Sequence, residues 1–285
     1  MTRLADIQGH IASMDELRDI VGAMRSLAGM RSQEAQRALP GIDGYARSMA
    51  EAIGAALLLM TQTEEAARRG RRALVLCLSE HGFVGGFNER LLDSVQHTAD
   101  PHDLLFVLGS RGAAHAQERG WKIAWMAPMA TRLAGAPETI DRLTTELYSR
   151  IARGEVARVE VMFDRYRQGS SPAVERHLLL PLDPASLPVE PSHQEPLHNL
   201  APRSLLEKLI AEYVFARLME AAVESMSSEN AARFEAMESA YENVTKKLAE
   251  LHQSAQQARQ TEITTELLDL ITGAEVLAGA AGHGP

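Results

Sequence analysis

The stretch RFEAMESAYENVTKKLAELHQSAQQARQ, residues 233–260, carries the pattern that decides the fold. Its apolar or small side chains alternate between steps of three and four residues, at Phe234, Met237, Tyr241, Val244, Leu248, Leu251, Ala255 and Ala258. A sustained repeat of about 3.5 residues predicts a helix that supercoils around a second helix. This face therefore needs a second helix as its partner.

The other long amphipathic pattern lies at the N-terminus, where apolar residues again recur every three or four positions. They are Leu4, Ile7, Ile11, Met14, Leu17, Ile20, Met24 and Leu27. Pro40 and Gly41 should interrupt or kink this helix, and a second helical stretch should follow over residues 45–60. The simplest hypothesis pairs the two ends of the chain in an antiparallel coiled coil. An ordinary dimerising coiled coil explains the pattern equally well.

The middle of the chain changes character, because short apolar or β-branched runs alternate there with helical segments. The predicted strands are RALVLCLSE (72–80), LLFVLGS (104–110), WKIAWM (121–126), VARVEVMFDRY (156–166) and VERHLLLPL (174–182). Helical segments near 88–96, 112–119 and 137–153 separate the first four runs, which predicts an inserted α/β layer with mostly parallel strands. The fifth strand is expected to form a hairpin with the fourth.

A proline-rich segment separates this layer from the last helix. Six of the twelve prolines lie between Pro181 and Pro202, which indicates a surface connector. A helical pattern then runs from about Ser204 to Ala278, on the order of 110 Å at 1.5 Å per residue. A helix of that length must project beyond its own domain.

Composition excludes several classes of function. The formal charge is -9, so non-specific binding to nucleic acid or to an anionic membrane is not expected. The start lacks a signal-peptide core, and the longest apolar run, residues 55–60, is too short to span a bilayer. The single cysteine, Cys77, is predicted to be a buried core residue. These features indicate a soluble protein of a reducing compartment.

Motifs for cofactor or metal chemistry are missing from the sequence. It contains no GxxxxGK[ST] loop, and GFVGGFN (82–88) lacks the spacing of GxGxxG. This loop is interpreted as a tight strand-to-helix turn in which Asn88 caps the following helix. GSRG (109–112) is interpreted as a structural turn that opens a helix, and the ten histidines show no metal-ligand spacing. No cofactor and no metal are expected.

Five segments, in order along the chain, resemble the gamma subunit of F-type ATP synthases. The two C-terminal ones are the most specific. They are HIASMDELRDIVGAMRSLAG (10–29), LSEHGFVGGFNERLL (78–92), VLGSRG (107–112), SSENAARFEAMESAYENV (227–244) and ARQTEITTELLDLITGAEVL (258–277).

The resemblance implies an α/β fold plus long helices: an antiparallel coiled coil of the N- and C-terminal helices with an inserted Rossmann-like α/β domain. The segments would be residues 1–65, 66–203 and 204–285. The resemblance also implies a non-catalytic rotor shaft inside a hexamer of alpha and beta subunits, with an epsilon-type subunit and the membrane c-ring as further partners. Its place would be the cytoplasmic face of the inner (plasma) membrane, as a peripheral subunit.

By the same resemblance, Arg259, Gln260 and Thr264 match positions that contact a loop of the beta subunit. Met24 and Arg233 match a pair on facing helices near the rotor's contact with beta. A guanidinium offers a forked donor to a carboxylate, and the two neutral side chains add hydrogen bonds that break and re-form easily. Core packing is the alternative interpretation for Met24.

Departures from the family pattern raise the hypothesis of a divergent branch. Glu80 and Val84 stand where the family usually has Asp and Cys, and His198, Asn199 and Leu200 replace a Tyr-Glu-Pro stretch. The gamma-type subunit of a sodium-linked rotary ATPase (N-ATPase) is one such branch. Two rival interpretations are a homodimeric coiled-coil scaffold with an α/β module and a small α/β enzyme such as a phosphate-ester hydrolase.

Overall fold

The computed structural model describes residues 2–59, 70–167, 172–183, 187 and 198–281. Two long helices flank an α/β layer in sequence. The elements in chain order are α1 (Thr2–Leu57), β1 (Arg71–Cys77), α2 (Phe87–Gln96), β2 (Leu104–Leu108), α3 (Ser110–Glu118), β3 (Ile123–Ala127), a 3-10 turn (Leu133–Gly135), α4 (Ala136–Ala152), β4 (Val156–Arg165), β5 (Ala173–Leu180) and α5 (Pro202–Ala281).

The five strands form one sheet in the order β3-β2-β1-β4-β5. The pairs β1–β2, β1–β4 and β2–β3 are parallel, and β5 runs antiparallel to β4. The predicted strands and the predicted hairpin are thereby confirmed. Strands β1 and β2 are apolar throughout their buried stretches because helices cover both faces of the sheet.

The chain divides into two compact units, Met1–Ser26 with Met237–Pro285, and Leu27–Ala236. In the first unit α1 and α5 pack antiparallel. A Cβ on Gly22 would lie 3.4 Å from the Tyr241 ring, and Arg25 binds Glu238 at 3.0 Å. Met237 and Leu248 on the predicted seam of α5 are buried. The predicted pairing of the two terminal helices within one chain is confirmed.

The second unit has a core on each face of the sheet. On one face, Val75, Val161 and Phe163 pack with side chains of α4 and with residues 214–226 of α5. On the other face, Leu74, Leu76 and Met162 pack with α2 and α3. Cys77 is fully buried as predicted, and burial raises the pKa of its thiol to about 12.

The predicted interruption of the first helix is wrong, because α1 is continuous through Pro40 as far as Leu57. A proline removes one helical N–H and frees the carbonyl four residues earlier. Both Pro40 and Gln36 lie on the exposed side of α1, where water can satisfy that carbonyl. The expected separate helix over residues 45–60 is therefore the end of α1, and Met60 lies outside the described residues.

The packed face of α1 also departs from the apolar pattern of its sequence. After Met14 the inward positions are Arg18, Val21, Arg25 and Ala28, of which Val21 and Ala28 are buried. Leu17, Ile20 and Leu27 are instead 41%, 58% and 41% exposed. The apolar pattern of the sequence assigns these three residues to the packed face, and this is wrong. The packed positions lie one residue further along the chain, at Arg18, Val21 and Ala28.

Several expectations concern residues that the structure does not describe. In the proline-rich connector, residues 184–186 and 188–197 lie outside the described residues, while Leu187 is buried against Ala50 and Ile53. The boundary near residue 66 is likewise outside them. Across the part of the chain that is described, no helix is long and apolar enough to cross a membrane.

Candidate functional site

The carboxyl edge of the sheet is the place where open α/β sheets bind ligands, between the strands at which the order reverses. Here that point lies between the neighbouring strands β1 and β4. From β1 the chain continues to β2 on one side of this point, and from β4 it continues to β5 on the other side. The side chains that meet at this edge come from the β1–α2 loop, from α3 and from α5. They belong to the second unit.

The N-terminus of α3 is occupied by the carboxylate of Glu80. Its oxygens accept hydrogen bonds from the backbone N–H of Ser110 at 2.9 Å, the Ser110 hydroxyl at 2.8 Å and the N–H of Met129 at 2.8 Å. Gly109 has φ 108 and lies so near β1 that a Cβ there would be 2.3 Å from the Leu78 oxygen. A side chain of this protein thus takes the place that an anion can take at a free helix N-terminus.

Asn88 does not cap α2, so that prediction is wrong. The cap position is Gly86, and Asn88 is the second residue of the helix. Its buried amide accepts from the Ser79 N–H at 3.0 Å and donates to the Ser79 hydroxyl at 2.8 Å. Asn88 therefore ties α2 to the end of β1.

Helix α5 is attached to the ends of both central strands. The Ser225 hydroxyl donates to the Cys77 carbonyl at 2.8 Å, and the Ser228 hydroxyl donates to the Asp164 carbonyl at 2.6 Å. Both serines are buried. They satisfy strand-end carbonyls that would otherwise lack a partner away from water. Helix α5 thus fills the crevice between the carboxyl ends of β1 and β4, where the strand order reverses.

One turn further along α5, Glu229 and Arg233 form a buried ion pair at 2.5 Å. Glu229 also accepts from the Glu80 N–H at 3.4 Å. The Arg233 guanidinium donates to the carbonyls of Gly82 and His81, at 3.3 and 3.4 Å. These hydrogen bonds stay within the second unit, and Arg233 is only 8% exposed.

The loop held by Arg233 presents an exposed aromatic residue. Phe83 is 69% exposed and has φ 61, a left-handed conformation that non-glycine residues seldom adopt. Gly85 follows with φ 52. The strand-to-helix turn predicted from GFVGGFN is confirmed in position, since β1 ends before it and α2 begins after it.

The other site residues predicted from the sequence lie in the first unit. Met24 is half-buried on α1. Arg259, Gln260 and Thr264 share an exposed stretch of α5, where the Thr264 hydroxyl donates to the Gln260 carbonyl at 2.8 Å. Arg259 and Gln260 are therefore open to a partner, whereas Arg233 is engaged within its own unit.

Sequence reasoning missed Glu229, Ser225 and Ser228. The available signal was the run ESMSSEN (224–230), which interrupts an apolar helix with small polar residues. Buried polar residues at one point of a helix indicate a polar edge on the partner surface. Within the described residues, no group of His, Cys, Asp or Glu side chains has the arrangement of a metal site.

Comparisons with known proteins agree from end to end. The sequence model of the ATP synthase family matches residues 3–277. An ATP synthase gamma chain from Prosthecochloris aestuarii is 28% identical over 98% of this chain and 100% of the relative. A gamma chain from a Geobacter species is 26% identical over 98% of this chain and 100% of the relative.

Solved structures show the same fold. A chain of the Euglena gracilis mitochondrial ATP synthase, solved with OSCP, F1 and c-ring, has a TM-score of 0.65 at 12% identity and covers 100% of this chain and 97% of its own. A chain from the Tetrahymena thermophila ATP synthase central stalk and c-ring has a TM-score of 0.55 at 17% identity, covering 78% and 99%. The chain belongs to the ATP synthase family, as a gamma subunit.

Proposed function

We propose that this chain is the central rotor shaft of an F-type ATP synthase and has no catalytic activity of its own. It couples ion translocation through a membrane c-ring to ATP synthesis or hydrolysis in a hexamer of alpha and beta subunits. The observation that carries this proposal is the exposed apolar end of α5. Ile263, Leu267, Leu268, Leu270 and Ile271 are 49–71% exposed on a helix that forms part of a coiled coil.

Exposed apolar side chains of this size need a surrounding surface in the assembled protein. Pairing with a second copy along the whole seam is blocked, because the seam at Met237 and Leu248 is already covered by α1 of the same chain. The homodimeric scaffold therefore has no support. A sleeve formed by a ring of other subunits covers the end of the helix and leaves it free to turn.

The coiled coil has features that suit a shaft. Arg25 binds Glu238 at 3.0 Å and also lies 4.6 Å from the centre of the Tyr241 ring. One residue therefore fastens α1 to α5 by an ion pair and by a cation–π contact. Paired helices that are cross-linked in this way resist bending and twisting better than a single helix does.

Arg259, Gln260 and Thr264 are proposed to contact the beta subunits, with Met24 as a further contact on α1. Their exposure supports this, because a guanidinium and an amide that are open to solvent can bind a carboxylate or a carbonyl of the ring at each step. The family resemblance also places Arg233 near the contact with the beta subunits. Its hydrogen bonds to Glu229, His81 and Gly82 favour a role in positioning α5 instead.

The remaining proposals concern organisation and place. Residues 1–65 and 204–285 form the coiled-coil segments, and residues 66–203 form the α/β domain with its connector. An epsilon-type subunit and the c-ring complete the set of partners. The gamma subunit is a peripheral part of a membrane complex, and we place it on the cytoplasmic face of the inner (plasma) membrane.

Co-expression with the alpha and beta subunits of the same organism tests the proposal. We expect a particle whose mass fits three alpha, three beta and one copy of this chain, with cooperative ATPase turnover only when this chain is present. A stable self-dimer that does not bind alpha or beta would contradict the proposal. ATPase activity of the chain alone would contradict its non-catalytic role.

A further inference from the structure

The ion pair of Glu229 and Arg233 is built differently from a surface pair on a helix. The two residues are spaced i, i+4, a spacing usually found on solvated faces, where such pairs contribute little. Here Glu229 is 5% and Arg233 8% exposed. Two charges removed from water in this way require nearly all their hydrogen bonds to be made.

Those hydrogen bonds lead out of α5 to the end of β1. Glu229 accepts from the N–H of Glu80, and Arg233 donates to the carbonyls of His81 and Gly82. A planar guanidinium can bind a carboxylate and two carbonyls at once only in one orientation. The pair therefore fixes the position of α5 against the loop that follows β1.

Ser225 and Ser228 extend the same attachment by one turn. Their hydroxyls bind the carbonyls at the ends of β1 and β4. The preceding turns of α5, from Val214 to Met226, contact the sheet through apolar side chains and through ion pairs of Glu220 and Glu224 with Arg165 of β4. Apolar contacts favour burial without fixing direction, whereas hydrogen bonds are directional. Residues 225–233 of α5 thus add buried, directional contacts with the ends of β1 and β4 and with the loop after β1, which resist sliding and rotation.

We propose that Glu229 and Arg233 form a torque joint, which prevents α5 from turning or slipping against the sheet of the α/β domain. The inference rests on the rotor function proposed above. Torque that acts on the α/β domain reaches the shaft helix through this joint. Arg233 is then a positioning residue rather than a direct contact with the beta subunits, and Glu229 acts with it.

The test uses the assembled complex of alpha, beta and this chain, fixed to a surface through its beta subunits. A bead is attached through Gln117→Cys, an exposed position on α3, since the native Cys77 is buried and does not label. The angular fluctuation of the bead is recorded in particles stalled with a non-hydrolysable ATP analogue. Arg233→Gln is compared with wild type and with Arg153→Gln.

Arg153 is the matched control because it is also paired with a carboxylate, Glu155 at 2.7 Å, in the same unit and away from α5. We expect Arg233→Gln to increase the angular variance about twofold, because a weakened joint lets the α/β domain turn against α5, with no change for Arg153→Gln. Arg233→Lys should lie between, because lysine keeps the ion pair with Glu229 but cannot bind both carbonyls. A purely structural role would lower the yield of particles without widening the distribution.

Unchanged variance in assembled Arg233→Gln particles would overturn the proposal, as would equal widening by Arg153→Gln. If Arg233→Gln does not assemble, Glu229→Gln is measured in the same way and the same widening is expected. If neither assembles, hydrogen exchange of residues 80–86 in the isolated Arg233→Lys chain must rise above wild type, or the proposal fails. Failure of the wild-type chain to assemble would instead refute the rotor function.

Discussion

At the scale of single residues, Asp164 at the end of β4 shows how a buried charge is held in this protein. Its side chain is fully buried, and one oxygen accepts from Arg90 of α2 at 2.7 Å. Its other oxygen has no hydrogen-bond partner among the described residues. Burial raises the pKa of this carboxyl, and the neighbouring Arg90 guanidinium partly opposes that rise.

Arg90→Ala should destabilise the isolated chain by about 2 kcal/mol at neutral pH, because it leaves Asp164 buried without a charged partner. Without Arg90 the pKa of Asp164 rises further above its unfolded value. The folded state then binds a proton more readily than the unfolded state, so the destabilisation shrinks as the pH falls through the raised pKa of Asp164 toward the ordinary pKa of an aspartate. Urea unfolding at several pH values measures the effect.

Arg119→Ala is the control for this substitution. Its partner Asp93 is 61% exposed, so water replaces the lost ion pair and the expected loss is below about 0.5 kcal/mol at every pH. A loss for Arg90→Ala that stayed constant across the pH range would show that Asp164 does not carry the effect.

Two contacts of single residues could not be predicted from the sequence. Glu229 and Arg233 are spaced like any solvated i, i+4 pair, and burial depends on where β1 ends in three dimensions. Asn88 follows a glycine-rich turn, as a capping residue would, but Gly86 takes the cap and Asn88 turns to Ser79. Local spacing cannot reveal either contact.

At the scale of elements, the sequence predicts strands and long helices well and the packed face of α1 poorly. The five strands and the seam of α5 have strong periodic patterns that burial enforces. Helix α1 has two apolar stripes, and only one can face α5. The packed stripe contains small residues such as Ala28 and Ala35, whereas Ile20 and Met30 are 58% exposed. Close approach of two helices selects the small residues over the larger ones.

Two glycines in helices should respond in opposite ways to an added methyl group. Gly41 lies inside α1, and a Cβ there would meet nothing within 4 Å. Gly41→Ala should therefore stabilise the isolated chain by about 1 kcal/mol through helix propensity. Gly112 lies in α3, where a Cβ would be 2.1 Å from the Cβ of Leu78. Gly112→Ala should destabilise by about 1–3 kcal/mol, because the helix must move away from β1.

Thermal and urea unfolding of the two variants beside wild type measure this difference. Both changes add one methyl group to a helical glycine, so each serves as the control for the other. Equal effects would mean that contact with β1 does not determine the tolerance of these positions.

At the scale of the whole molecule, a helix of the same chain occupies the crevice in which open α/β sheets bind ligands. The strand order places a crevice between β1 and β4, as in dinucleotide-binding folds. Glu80 occupies the N-terminus of α3, and residues 225–233 of α5 fill the crevice. The sequence predicted the α/β layer. It did not predict what fills the crevice, because the filling segment lies about 150 residues further along the chain.

The end of α5 should contribute to the assembled enzyme and not to the stability of the chain alone. From Ile263 to Thr272 every described side chain is exposed. A chain truncated after Glu262 should therefore unfold within about 0.5 kcal/mol of the full chain. A chain truncated after Leu248 also loses Leu251, Ala255 and Ala258, which pack on the seam, and should be clearly less stable.

In the complete enzyme with alpha, beta and the membrane c-ring, the truncation after Glu262 should reduce ATP-driven ion pumping relative to ATP hydrolysis, because an apolar end that needs a surrounding surface has been removed. Unfolding of the isolated chains and pumping in reconstituted vesicles separate the two contributions. If the shorter deletion destabilised the isolated chain as strongly as the longer one, the end of α5 would have a partner within its own chain. The exposed apolar residues could then no longer support a surrounding ring of subunits.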